Sequence, residues 1–299
     1  MRHIFSSVSR THTGFFPHHP IMNLYYRTLY VFLVSVLTFS VSEAKDTDAA
    51  TESAWAEIEK SVAVADWNTA DSLIVATLEQ HPDSATDAML LSNLGMIRYY
   101  AGKDSLALDA LTHAHRAAPA SVTILANRAK VLTSMGRAAE ALADYDNIVQ
   151  LDSTYSDAYL YRGLIMLYSG NFEDALSDLQ QREKLSPRNE DTLIALASFY
   201  TITENHESAI SYYSQLIQAD PQPEYYAGRA LCALRLERLV DASEDIADGL
   251  DLDPDYSELY LCRAILNKKR YCTADAHADA DRALSLGANP ARIKALLGF

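Results

Sequence analysis

A fixed period of 34 residues constrains this chain more than any other feature. Gly102, Gly136 and Gly170 stand 34 apart, as do Ala107, Ala141, Ala175 and Ala209, and Pro119, Pro187 and Pro221 fall in step with Ser153. A chain that repeats at such a spacing builds one supersecondary unit many times over, and each unit buries its apolar face only by stacking on its neighbours. Setting those alanines as the twentieth residue of each unit places unit starts near Thr51, Ala88, Val122, Ser156, Glu190, Pro223 and Ser257, seven units in all.

Within a unit, an apolar helix runs to the glycine, a short turn follows, and a second helix passes through the alanine to a proline or its substitute. Glycine supplies a left-handed cap at the end of the first helix, and proline stops the second. Only ten glycines and nine prolines occur in 299 residues, 49% of which are hydrophobic. That favours helix and provides ample core, so the expected fold is all-α. The eighth residue of the last six units is always small: Gly95, Ala129, Gly163, Ala197, Ala230 and Ala264. Small residues there let two helices cross closely, which repays the poor helix propensity of Gly163.

The units also serve as an internal alignment, which accounts for a charge inside an apolar helix. The seventh residue is Arg128, Arg162, Arg229 and Arg263 in four units, and the twenty-third residue in those same units is Asp144, Asp178, Asp245 and Asp279. The other three units hold neither: Glu57 with Leu73, Leu94 with Ala110, and Leu196 with Tyr212. Joint presence and joint absence predict a charge pair between first and second helices, because a half-buried arginine needs a partner. This structural reading is preferred over an anion-binding ladder of arginines.

The fourth unit, AYLYRGLIMLYSGNFEDALSDLQQREKLSP, resembles the tetratricopeptide repeat family in its large Tyr159, small Gly163, turn Gly170, Ala175 and closing Pro187. The resemblance covers residues 51–289 and leaves 290–299 as a short C-terminal cap. It implies a right-handed superhelical solenoid of helix-turn-helix repeats. The first unit departs from the pattern, with Glu57 and Ile58 where a large apolar and a small residue belong, which puts its first helix in question. The last unit lacks the turn glycine and closes with Gly287 and Ala288.

In this family a groove lined by first helices binds partners, through the second, fifth, ninth and twelfth or thirteenth residues of each unit. Carried over by position, these are Met96, Tyr99, Tyr100, Lys130, Asp157, Leu160, Leu164, Leu167, Tyr168, Asp191, Ile194, Glu224, Leu231, Glu258 and Ile265. The surface so implied is apolar and aromatic with an acidic row of Asp157, Asp191, Glu224 and Glu258, and those acids also complement helix N-terminal dipoles. Some members clamp acidic chaperone tails. The corresponding positions hold Ser92, Met96, Asn127, Asp157 and Tyr161, of which only Asn127 fits, so the resemblance does not extend to that binding.

Residues 1–44 read as a signal peptide region. Arg27 precedes an apolar core from about Leu29 to Val41, Ser42 and Ala44 are small residues before a polar stretch, and Met22 is an alternative start. Residues 45–50 are then a linker. The mature chain is expected to be periplasmic or secreted, with no integral membrane span, resembling exported bacterial members of the family. An uncleaved membrane anchor is the alternative. The full chain has a net charge of −15, and losing that leader removes three arginines for one glutamate. Such a surface repels phosphate backbones, so nucleic acid is excluded as a partner.

No phosphate-cradling loop, nucleophile elbow or Cys-x-x-Cys pair occurs, so no catalytic, cofactor or metal residues are assigned. His206 and Glu207 open HESAI, where Ile210 stands in place of a second zinc ligand, and His113 and His115 point to different faces of one helix. Cys232, Cys262 and Cys272 follow no zinc spacing and are read as small helix residues, with a Cys232–Cys262 disulfide left open. The function expected is a noncatalytic protein-interaction scaffold that holds a peptide or partner with basic and apolar residues in its concave groove, outside the cytoplasm. The alternative is an accessory or spacer subunit of an envelope, carbohydrate or cell-wall enzyme complex.

Overall fold

The computed structural model describes residues 49–80 and 85–298, which form fifteen helices and no strand. The signal-peptide reading of residues 1–44 lies outside the described residues. The chain divides into two compact units, one ending at Ser169 and the other beginning at Gly170.

The first unit holds helix pairs α1 (Ala49–Ala63) with α2 (Trp67–Gln80), α3 (Ala85–Tyr100) with α4 (Asp104–Ala117), and α5 (Val122–Ser134) with α6 (Ala138–Leu151), followed by α7 (Ser156–Tyr168). Ala49 and Ala50, expected in a linker, already belong to α1. That helix forms despite Glu57 and Ile58. Glu57 faces solvent while Ile58 is fully buried with Trp55, Val62, Ala70 and Ile74, so an apolar stripe at helical spacing outweighs the missing small residue.

The second unit begins with α8 (Phe172–Leu185) and continues through α9 (Glu190–Ile202) with α10 (His206–Ala219), α11 (Pro223–Arg235) with α12 (Leu239–Leu252), and α13 (Ser257–Lys269) with α14 (Thr273–Ser285). The expected cap is the helix α15 (Pro290–Leu297). Ala291 stands 34 residues after Ser257, so α15 is in register as the first helix of a further unit. Ile293 and Leu297 join the core of this half, and Lys268 Nζ donates to the Leu297 carbonyl at 2.6 Å.

Side chains stop the orphan amides at several helix starts. Ser121 Oγ accepts from the Ile124 amide, and the Oδ1 atoms of Asn189, Asn205 and Asn289 accept from Thr192, Ser208 and Ala291. Where helices pair, the small residues do what their spacing implies. Ala129, Ala197, Ala230 and Ala264 at the eighth position, and every alanine at the twentieth, are completely buried. At Gly95 a Cβ would stand 2.5 Å from Leu111 Cγ and 3.1 Å from the Ala107 carbonyl, so the α3–α4 crossing has no room for a side chain.

The turn between paired helices is more uniform than its sequence. The fifteenth residue of every unit has a positive φ: Ala65, Gly102, Gly136, Gly170, Glu204, Glu237 and Tyr271. Glycine adopts this left-handed conformation freely, whereas a residue with a Cβ pays about 1 to 2 kcal/mol for it. Tyr271 is 91% exposed, so its ring gains almost nothing in return. Tyr271→Gly is therefore expected to raise the melting temperature by roughly 2 to 4 °C, equivalent to about 1 kcal/mol. A differential scanning calorimetry trace with an unchanged or lowered midpoint would contradict this account of the turn.

Candidate functional site

The arginines at the seventh position set the polar geometry around the helix crossings. Arg128 Nε donates to Asp144 Oδ2 at 2.8 Å, and its Nη2 donates to Oδ1. Arg229 donates from Nη2 to Asp245 Oδ1 at 2.6 Å, and Arg263 from Nη2 to Asp279 Oδ1 at 2.7 Å. Arg162 donates from Nη1 to Asp146 at 2.7 Å, a partner on α6 that the alignment of units did not single out. Asp144, Asp178, Asp245 and Asp279 are all buried. Burial raises the Asp245 carboxyl even though its bonds to Arg229 pull the other way.

Two further contacts of the arginines went unseen in the sequence. The guanidinium carbons of Arg162, Arg229 and Arg263 lie 5.6, 5.7 and 4.8 Å from the ring centres of Tyr159, Tyr226 and Tyr260, three residues earlier on the same helix. Cations are attracted to ring faces at such distances. The signal was present, as a tyrosine at the fourth position of those units. Arg229 also donates from Nη1 to Ser214 Oγ at 3.0 Å, reaching the second helix of the preceding repeat.

The expected groove residues separate into two groups. Met96 and Tyr99 are buried in the hydrophobic core of the first unit, so they pack the fold and do not line an open surface. Leu160 and Leu167, seven apart on one stripe of α7, are likewise buried, as are Ile194 and, barely, Ile265. Tyr100 is half-buried, with its ring stacked on Trp67 at 5.4 Å. Asp157, Leu164 and Tyr168 are half-exposed, and with Tyr161 they form a single stripe along α7 at spacings of four, three and four residues.

Burial pushes the phenol of Tyr168 up to about 12. Burial also pushes the Lys130 ammonium down to about 8, with Asp157 pulling it back up, so this lysine of α5 shares a field with the first acid of the row. In the second unit Asp191, Glu224 and Glu258 are half-buried, and Leu231 is half-exposed. Glu258 is already paired: Arg292 Nη1 lies 2.6 Å from its Oε2. It is therefore not an open acid for a partner's cation. The arginine that occupies it comes from α15, one unit further along the same row.

Asn127, the one clamp-like residue, is buried and donates from Nδ2 to Ser92 Oγ at 3.1 Å, while the Tyr161 ring stacks on Tyr145 at 6.0 Å. The cysteines are free thiols. Cys232 and Cys262 are buried and Cys272 is exposed, and burial pushes the Cys262 thiol up to about 12, which keeps it protonated. Among the described residues no group of His, Cys, Asp and Glu could hold a metal ion, and no helix is long and apolar enough to cross a membrane.

Two models of the tetratricopeptide repeat match overlapping stretches, residues 127–190 and 166–232. A tetratricopeptide repeat protein from Parabacteroides merdae has a crystal structure that superposes with a TM-score of 0.66 at 25% identity, over 83% of this chain and 97% of that one. The chain is a tetratricopeptide repeat protein. This repeat is in general a noncatalytic scaffold for protein–protein interaction, and that coarse role is the one its fold supports.

Among curated relatives, the Dictyostelium discoideum DnaJ homolog subfamily C member 7 homolog is 26% identical over 176 residues, and its human counterpart is 28% identical over 164. The matches cover 53% and 49% of this repeat protein but 33% of each relative, so the chain spans about a third of the length of the curated relatives it matches.

The arginine geometry has a measurable consequence in the second unit. Arg229→Leu strands Asp245 in a dry site and should cost about 3 to 5 kcal/mol, whereas Arg229→Leu with Asp245→Leu should cost much less, because no charge is left unpaired. Urea unfolding of the two variants checks this. A double variant as unstable as the single one would mean that the pair itself, and not the stranded carboxylate, holds the helices together.

Proposed function

We propose that this repeat protein is a noncatalytic adaptor that holds a peptide or partner surface, carrying basic and apolar residues, against the first-helix face. The observation that carries the reading is the stripe of Asp157, Tyr161, Leu164 and Tyr168 on α7. One charged and three large apolar or aromatic side chains share a helix face without being fully covered. Tyrosine joins a large apolar body to a polar tip and is enriched at binding hot spots, while an acid beside it favours a partner's Lys or Arg and speeds encounter. The chain's net charge of −15 supports a basic partner.

The same reading places the adaptor outside the cytoplasm, on the strength of Arg27, the apolar stretch after it, and Ser42 and Ala44. N-terminal sequencing of protein recovered from an exporting host should begin at Lys45. Intact chains starting at Met1 or Met22 in a membrane fraction would favour an anchor.

For binding, a partner captured by pull-down and identified by mass spectrometry is titrated calorimetrically against wild type and the variant Leu164→Ala with Tyr168→Ala. The affinity should fall by about 1 to 4 kcal/mol with the melting temperature held, as expected for interface anchors. An unchanged affinity in a folded variant would sink the first-helix reading. A lowered melting point with affinity lost only through unfolding would make these side chains part of the core.

A further inference from the structure

The first unit contains a cleft on its second-helix side, between α4 and α6 and floored by α5, with a volume of about 640 Å³. Arg128 lines it, and there the contact that Arg162 and Arg229 make through Nη1 leaves a gap. Two of the other three arginines meet the twenty-fifth residue of the preceding unit, Asp146 taking Arg162 Nη1 and Ser214 taking Arg229 Nη1, whereas Ala247 stands before Arg263. At the corresponding place before Arg128 stands Thr112, which lines the same cleft. Yet among the described residues Arg128 donates only from Nε and Nη2, both to Asp144. Its Nη1 donors are therefore unused in a residue that lines a cleft of the size that ligands occupy.

The rest of the lining restricts what could sit there. Leu108, Leu132 and Met135 offer an apolar floor. Arg128 and Arg137 are balanced by Asp144 and Glu140, while Asp109, 67% exposed, faces only His113 at 3.6 Å. That leaves one acid in excess. A free carboxylate or phosphate would meet this acid, whereas a neutral carbonyl could take the arginine donors and leave the acid for a cation.

We propose that this cleft is a second docking site, distinct from the first-helix face, for a short peptide segment of a partner protein. A backbone carbonyl accepts from Arg128 Nη1, an apolar side chain lies on Leu108, Leu132 and Met135, and a Lys or Arg side chain reaches Asp109. The site does not depend on the α7 stripe.

The test uses the full chain, labelled at its methionine methyl groups, and reads the Met135 signal by NMR. The probe is acetyl-Lys-Leu-Leu-Lys-amide, with acetyl-Glu-Leu-Leu-Glu-amide as its acidic counterpart. The basic probe should shift the Met135 methyl saturably and bind at least tenfold more tightly than the acidic one. Thr112→Asp recreates the Asp146 arrangement and closes the gap, and Ala143→Trp fills the cleft from the exposed face of α6. Both should abolish the shift while thermal melts show a folded chain.

The loss in Thr112→Asp is the more telling because added negative charge alone would strengthen attraction to the basic probe. Equal binding of both probes, no shift at millimolar probe, or persistence of the shift in both folded variants would overturn the proposal. So would a Met135 shift that appears on raising protein concentration without probe, which would assign the cleft to a second copy of the chain. Because the readout sits at Met135, failure here leaves the calorimetric test of Leu164 and Tyr168 standing, and the reverse also holds.

Discussion

The close approach of paired helices at the eighth and twentieth positions is the constraint on which the rest of the structure depends. At Gly95 even one carbon atom would meet Leu111 at 2.5 Å, and the alanines that face such crossings are fully buried. Packed interiors do not yield by such amounts without loss, so the spacing of small residues recurs in unit after unit. The seventh residue is next to the eighth along the helix, and the twenty-third lies one turn beyond the twentieth. Fixing the crossing therefore brings those two side chains to the same edge of the contact. Arg128, Arg229 and Arg263 close a short bidentate pair there with their aspartates, and where the arginine is missing the places hold Leu94 with Ala110, Leu196 with Tyr212, or the exposed Glu57 with Leu73.

This geometry gives the arginines a role that charge alone does not. The pair is dry enough for burial to raise the Asp245 carboxyl, so its net contribution to stability is small compared with the cost of breaking it. What it adds is register. A planar guanidinium with five donors can hold its own unit's aspartate along one edge and the preceding repeat's second helix with Nη1, as Arg229 does with Asp245 and Ser214. The tyrosine three residues earlier covers its face, leaving few orientations open.

Much of this was legible in the sequence because repetition substitutes for an alignment. The all-α fold, the helix pairs and the arginine–aspartate positions all follow from residues that recur or vanish together. The left-handed turns at Glu204, Glu237 and Tyr271 were not legible, since their usual signature is glycine and neighbouring units impose the conformation without it. The groove was only half legible. A list of family positions does not say which side chains a neighbour covers, and so Met96 and Tyr99 turned out to be core. The Glu258–Arg292 pair was missed for another reason. Helix α15 was read as a cap outside the array, although Arg292 occupies the second position of a unit in register.

That pair changes how the acidic row of the second unit works. Without Arg292, Asp191, Glu224 and Glu258 would form a run of like charge along α9, α11 and α13. With it, Glu258 is paired at 2.6 Å and no longer adds an open charge to the run. The Tyr256 phenol, raised by burial and then by Glu224 and Glu258, lies in the same field. A row that ends in a cation is directional. A basic segment laid along this face would meet the Arg292 cation and be repelled near α15. Polarity of this kind fixes register and orientation at little cost in affinity, and it weakens as salt screens it.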